Sequence, residues 1–277
     1  GEFTQMTQQK ITSGGNIDSV RFDGNKLIVS GWFASVQAQG KPYAYAIITN
    51  EQGNQEYGRT QVNITSRPDV PKVYPDIPNG ANSGFSASFD YSNQMKGKKL
   101  HLIFRYTDDP AGNGNFVDYV SLLELTKSAA SLDNVDTVVF SNKLRVSGWF
   151  ASDMSLGLNY CYLILYDVAN KCEIQRVKYE PIQRDDVQQA HPDIFDSELS
   201  GFSGQFDYSS NLVGRQLQVI ARCSDDEHGE GNHIDYWFEP IKGPTMPVMD
   251  GKTTTEVICH EFSAEQITGG LIKLAMK

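Results

Sequence analysis

Asn25-Lys26-Leu27-Ile28-Val29-Ser30-Gly31-Trp32-Phe33-Ala34-Ser35 returns as Asn142-Lys143-Leu144-Arg145-Val146-Ser147-Gly148-Trp149-Phe150-Ala151-Ser152, a shift of 117 positions. The same shift carries Arg67-Pro68-Asp69-Val70 onto Arg184-Asp185-Asp186-Val187, Ser83-Gly84-Phe85 onto Ser200-Gly201-Phe202, and Phe89-Asp90-Tyr91-Ser92 onto Phe206-Asp207-Tyr208-Ser209, with no gap between them. A period this long exceeds the roughly 20–50 residues of a solenoid unit. Each copy instead has the length of a domain, about 110 residues, enough to enclose its own core. The spacing predicts repeat 1 over 15–126 and repeat 2 over 131–242. Lys127-Ser128-Ala129-Ala130-Ser131 is then a short joint, too short to let the two roam independently. Residues 1–14 form an N-terminal segment whose Gly1-Glu2-Phe3 reads as vector-derived, and 243–277 form a C-terminal extension.

Within a repeat, segments rich in Val, Ile, Tyr, Phe and Thr alternate with Gly, Asn and Asp turns, which suits strands on half-buried pleated surfaces. Strands are predicted over 17–22, 26–33, 43–50, 57–63, 84–91, 99–107 and 118–125. Helical turns are predicted only near 67–74 and 184–191, where Pro68 can open the first. The fold class is therefore all-β, with two tandem β-sandwich (jelly-roll-like) domains. The extension adds two apolar strand-like stretches, 253–262 and 270–276. Two strands alone are unstable in water, so they pack on repeat 2, attach to a larger assembly, or pair between chains as a homo-oligomer.

A net charge of −10 argues against nucleic-acid and anionic-membrane partners. Of Cys161, Cys172, Cys223 and Cys259, the first three correspond to Ala44, Gln55 and Tyr106 in repeat 1. A disulfide framework shared by the repeats is thus not expected, and free thiols are favoured over a local Cys161–Cys172 bridge.

The polar residues kept in both copies include Arg67/Arg184, Asp69/Asp186, Asp109/Asp226 and Asn115/Asn232, and aromatic rings recur at Trp32/Trp149. Carboxylates, amides and guanidinium groups bridge sugar hydroxyls, while a ring face packs on the C–H face of a pyranose. The same Arg–Asp pairs can equally pin a loop, and a strand Trp can equally be core. Tyr74 and His191 occupy matching loop positions, and Trp237 replaces Val120, giving repeat 2 a ring that repeat 1 lacks. Asp108, Asp109, Asn115 and Asp118 lie in a Gly-rich run that offers oxygen ligands for calcium but lacks the EF-hand spacing. No cofactor is otherwise implied. No nucleophile arrangement or facing carboxylate pair repeats, so catalysis is not expected.

Taken together, Val-Ser-Gly-Trp-Phe-Ala-Ser, Arg-Pro-Asp-Val with Tyr-Pro-Asp-Ile, and Ser-Gly-Phe before Phe-Asp-Tyr-Ser resemble the carbohydrate-binding repeats of phage baseplate accessory proteins of lactic-acid bacteria. Similar repeats occur in endolysins and surface proteins. The resemblance covers both repeats but not the extension. It implies a non-catalytic module for host cell-wall polysaccharide, in a virion tail or at a cell surface. A structural spacer without a sugar ligand and the wall-targeting part of an endolysin are the alternatives.

Overall fold

The computed structural model describes residues 10–246 together with two backbone segments of the extension, His260–Glu261 and Leu271–Ala275. The chain divides into two compact units, one ending at Leu125 and the other starting at Thr126.

Repeat 1 consists of β1 (Ser13–Asp23), β2 (Lys26–Ser35), β3 (Tyr43–Asn50), β4 (Glu56–Gln61), β5 (Thr65–Ser66), α1 (Val70–Val73), β6 (Asn82–Asp90), β7 (Lys99–Thr107) and β8 (Phe116–Glu124). One antiparallel sheet runs β1-β2-β6-β5 and the other β4-β3-β7-β8. The two inner faces meet through stacked rings: Phe85 lies 4.4 Å from Phe104, and the Tyr106 hydroxyl donates to the Phe33 carbonyl at 2.6 Å. The all-β sandwich expected from alternation is present. Its strand order is that of an immunoglobulin-type sandwich rather than jelly-roll connectivity, because the first and last strands lie in different sheets.

Repeat 2 repeats this plan with β9 (Ser128–Thr137), β10 (Lys143–Ser152), β11 (Tyr160–Asp167), β12 (Cys172–Tyr179), α2 (Asp185–Ala190), β13 (Gly201–Asp207), β14 (Gln216–Ser224), β15 (His233–Trp237) and β16 (Ile241–Lys242). Leu144, Val146 and Phe206 from one sheet pack against Leu163, Leu165 and Val219 from the other, all fully buried. The extension contributes β17 (His260–Glu261) on the β12 edge and β18 (Leu271–Ala275) on the β15 edge. These added strands lengthen one sheet to the order β17-β12-β11-β14-β15-β18, with β16 beside β14.

The recurrent Ser-Gly-Trp is explained by a bulge. β1 skips a residue between Ile17 and Ser19 opposite Gly31, and β9 does so opposite Gly148. A side chain at Gly31 would meet the Asn16 carbonyl at 2.1 Å, and one at Gly148 the Ser131 carbonyl at 2.2 Å. Only glycine tolerates that approach of two backbones. Gly148→Ala should therefore lower stability by roughly 2 kcal/mol, read as a fall in urea midpoint, whereas Gly53→Ala, at an open turn, should cost about 1 kcal/mol, its positive φ being the only penalty.

Asp153 has no counterpart in repeat 1, where Val36 stands. It is fully buried and accepts the backbone N–H of Phe195 at 2.9 Å and of Lys127 at 2.8 Å. Burial pushes its carboxyl up to about 6 even though those N–H groups oppose the shift. A raised acid binds its proton more tightly in the folded state, so the stability it contributes is complete below about pH 4 and is lost as pH rises through about 6. That loss should be on the order of 2–3 kcal/mol. Urea midpoints at pH 4.5 and 7.0 check it: Asp153→Asn should flatten the decline, and an unchanged slope in the variant would refute the assignment.

Candidate functional site

Arg67 enters from the segment between β5 and α1 and is held between two carboxylates. Its Nε and one Nη donate to both oxygens of Asp69 at 2.9 and 2.8 Å, and the other Nη reaches Asp18 at 2.7 Å. Repeat 2 builds the same clamp: Arg184 bonds both oxygens of Asp186 and one of Asp133, each at 2.8 Å. Hydrogen bonding from the guanidinium holds Asp69 and Asp186 at about 2, well below the ordinary carboxylate range, and raises both arginines further. The carboxylates stay exposed, at 61% for Asp69 and 67% for Asp186, so their remaining lone pairs face solvent.

The clamp sits on the glycine of Ser-Gly-Phe. A side chain at Gly84 would lie 3.2 Å from the Arg67 stem, and one at Gly201 would lie 2.9 Å from that of Arg184. Gly84 and Gly201 pair across the sheet with Trp32 and Trp149. Each Trp then carries a ring from the helical turn: Tyr74 on Trp32 at 5.3 Å and His191 on Trp149 at 5.3 Å, tilted by 45° and 42°. Trp32 is only 8% exposed and packs with Ala34, Val70 and Ile77. It supports Tyr74 from below. Trp149, Tyr74 and His191 are half-buried, with part of each ring left to solvent. The structure thus brings the expected residues Trp32, Tyr74, Arg67 and Asp69, and Trp149, His191, Arg184 and Asp186, into two matched sets and adds Asp18 and Asp133 to them.

Asp18 and Asp133 escape a reading at a constant offset because the first strands are related by 115 positions, not 117. Leu132 pairs Gly148 as Ile17 pairs Gly31, and the extra residues fall in the turn after β9, where Phe140 is 85% exposed with φ of +60°. Aligning the bulges rather than the longest identity run would have found both aspartates.

The other polar candidates serve the β7–β8 and β14–β15 loops. Asp108 accepts the backbone and side-chain N–H groups of Asn115, both at 2.9 Å, and Asp109 accepts the N–H groups of Ala111 and Asn113. Asp226 and Asn232 act likewise in repeat 2, toward His228, Glu230 and Asp225. Asp118 is engaged by Arg105 at 2.8 and 2.9 Å. The carboxylate oxygens of Asp108, Asp109 and Asp118 thus accept from backbone, amide and guanidinium donors, and among the described residues no three His, Cys, Asp or Glu side chains converge on a cation site. Asp109, Asn115, Asp226 and Asn232 thus bond within their own loops and are not brought into the ring-and-clamp sets.

Trp237 is corrected. It is fully buried, meets Tyr166 edge-on at 5.0 Å, and packs in a cluster with Tyr162, Ile164 and Ile220. Val120, its equivalent, is 49% exposed. Among the cysteines, Cys172 departs from expectation in being disulfide-bonded, whereas Cys161 and Cys223 are free, as expected. Those two face each other on β11 and β14 with Sγ atoms 3.4 Å apart.

No family model and no curated protein matches the chain. Among solved structures it is similar to a tetra-tandem repeat from the extending region of a large adhesion protein, at 16% identity and a TM-score of 0.26 over 82% of this chain and 47% of that one. It is also similar to the chicken CNTN1 FN1-FN3 domains, at 11% identity and 0.26 over 82% and 74%, and to a marsupial T cell receptor, at 10% and 0.24 over 85% and 71%. The chain spans less than half the length of the adhesion-protein repeat.

Proposed function

We propose that this chain is a non-catalytic module that binds host cell-wall polysaccharide through matched sites on its two repeats, as an accessory adhesin of a phage tail baseplate. The observation that carries the saccharide reading is the duplicated set: Tyr74 on Trp32 beside Asp18–Arg67–Asp69, and His191 on Trp149 beside Asp133–Arg184–Asp186. Exposed carboxylates fixed by bidentate bonds accept from sugar hydroxyls with little ordering cost, and the adjoining ring offers an apolar face. The baseplate setting rests on the resemblance of the repeat motifs.

The test is retention of the full chain, labelled with a fluorophore, on purified wall polysaccharide from lactic-acid bacteria. Saturable retention, displaced by the soluble polysaccharide, is the expected result. A chain that is retained on no wall preparation is a spacer rather than an adhesin.

A further inference from the structure

Repeat 1 contains a pocket of about 540 Å³ that no part of the duplicated set lines. We propose that it is a separate saccharide site, specific to repeat 1, for a sugar residue carrying an anionic substituent such as a carboxylate or phosphate. Four replacements open it. Val36, Lys41, Pro78 and Asn82 line the space, and a shift of 117 positions puts Asp153, Leu158, Phe195 and Leu199 in their places. In repeat 2 three of those groups fill the volume: Asp153, Leu158 and Phe195 are 0%, 6% and 5% exposed, and Asp153 bonds the Phe195 N–H. In repeat 1 proline and valine leave it open, and amides replace apolar groups.

The chemistry of the lining selects the ligand. Gln39, Asn79 and Asn82 bring amides and Lys41 an ammonium, while no carboxylate is in the wall. In a chain of net charge −10 that local balance is unusual. Asn79 is held in place, its Oδ1 accepting the Ser35 N–H at 2.9 Å. Lys41 is anchored by donating to the Gln37 carbonyl at 2.7 Å, which leaves two of its three protons for a ligand. Asp108 is near enough to be influenced by Lys41, but its oxygens accept from Asn115. Val36, Ile64 and Pro78 supply the apolar wall that a sugar ring needs.

This inference rests on the saccharide reading for the class of ligand but uses different residues, so the two can fail separately. Glucose 6-phosphate, glucuronic acid and glucose are titrated into the isotope-labelled full chain, with backbone amide shifts as the readout. The two acidic sugars should move the signals of residues 36–41 and 79–82, and bind about tenfold more tightly than glucose, the difference expected of a charge-assisted hydrogen bond. Lys41→Met should abolish that preference. Pro78→Phe, which restores the residue that fills repeat 2, should abolish binding of all three while leaving retention on wall polysaccharide unchanged. Absence of shifts at 36–41 and 79–82 with every sugar, equal affinity for glucose, or undiminished binding by Pro78→Phe would each overturn the proposal. Loss of wall retention with intact pocket shifts would instead refute the duplicated sites alone.

Discussion

Asp235→Ala should destabilise repeat 2 by about 3–5 kcal/mol, the range for breaking a buried ion pair from one side. Asp235 and Arg222 are only 2% and 5% exposed, joined by two bonds of 2.8 and 2.7 Å. Arg222 also donates to the Gly229 carbonyl at 2.9 Å, so it ties the β14–β15 loop back to the sheet. Removing the carboxylate takes two charge-assisted bonds from a buried guanidinium. The matching Asp118→Ala in repeat 1 should cost less. Asp118 is 18% exposed, and Arg105 has the Phe116 ring 3.6 Å from its guanidinium carbon, which retains part of the favourable field. Hydrogen exchange on the full chain assigns each loss to its repeat, with protection falling in 216–237 for the first variant and in 99–124 for the second. A companion double variant, Arg222→Met with Asp235→Leu, should recover much of the stability, since the cost lies in the uncompensated charge. A loss below about 1 kcal/mol for Asp235→Ala would mean that the pair behaves as a solvent-screened one.

How much of this was legible in the sequence depends on what each pattern encodes. Alternation and turn residues locate strands because the pleat has a period of two, and β3 and β7 fall where the residues put them, at Tyr43–Asn50 and Lys99–Thr107. Arg67–Asp69 was legible too, since both partners lie in one short motif. Asp18 was not, because its partnership depends on a bulge that shifts the register of one strand. Trp237 was misread for a related reason. The residue type says only that a large ring must be buried against something, and the Tyr162, Ile164, Tyr166 and Ile220 side chains that bury it come from other strands of the repeat. Asp109 and Asn115 illustrate a third limit: an acidic or amide side chain in a Gly-rich run can serve a ligand or its own loop, and the bonds both make within the loop are set by its fold rather than by residue type. The pocket of repeat 1 is a difference between copies, and a search for identities passes over it.

Tyr74→Ala and His191→Ala, made singly, should each weaken retention on a polysaccharide surface by about 10²–10⁴-fold, and the double variant should abolish it. The size of the single effect follows from linkage rather than from the ring contact itself. Each ring supplies the apolar face of its site, so truncation disables that site, and the one that remains holds its ligand weakly. Two sites on one chain convert the second contact into an intramolecular event, and the gain in avidity spans about 10²–10⁴ without any new interaction. Each ring rests on a tryptophan that the strand holds in place, so truncation removes the outer surface while Trp32 stays packed with Ala34, Val70 and Ile77. Far-ultraviolet circular dichroism should accordingly be unchanged. Calorimetry with a short soluble oligosaccharide separates avidity from affinity: stoichiometry should fall from two to one in either single variant, with the affinity of the surviving site preserved. A stoichiometry of one in the unaltered chain would mean that a single repeat recognises the polymer, and the variant that eliminates binding would identify it. Retention unaffected by both substitutions would remove the ring pairs from recognition, leaving the Asp18–Arg67–Asp69 and Asp133–Arg184–Asp186 clamps as fasteners between the first strand and the helical turn of each sandwich.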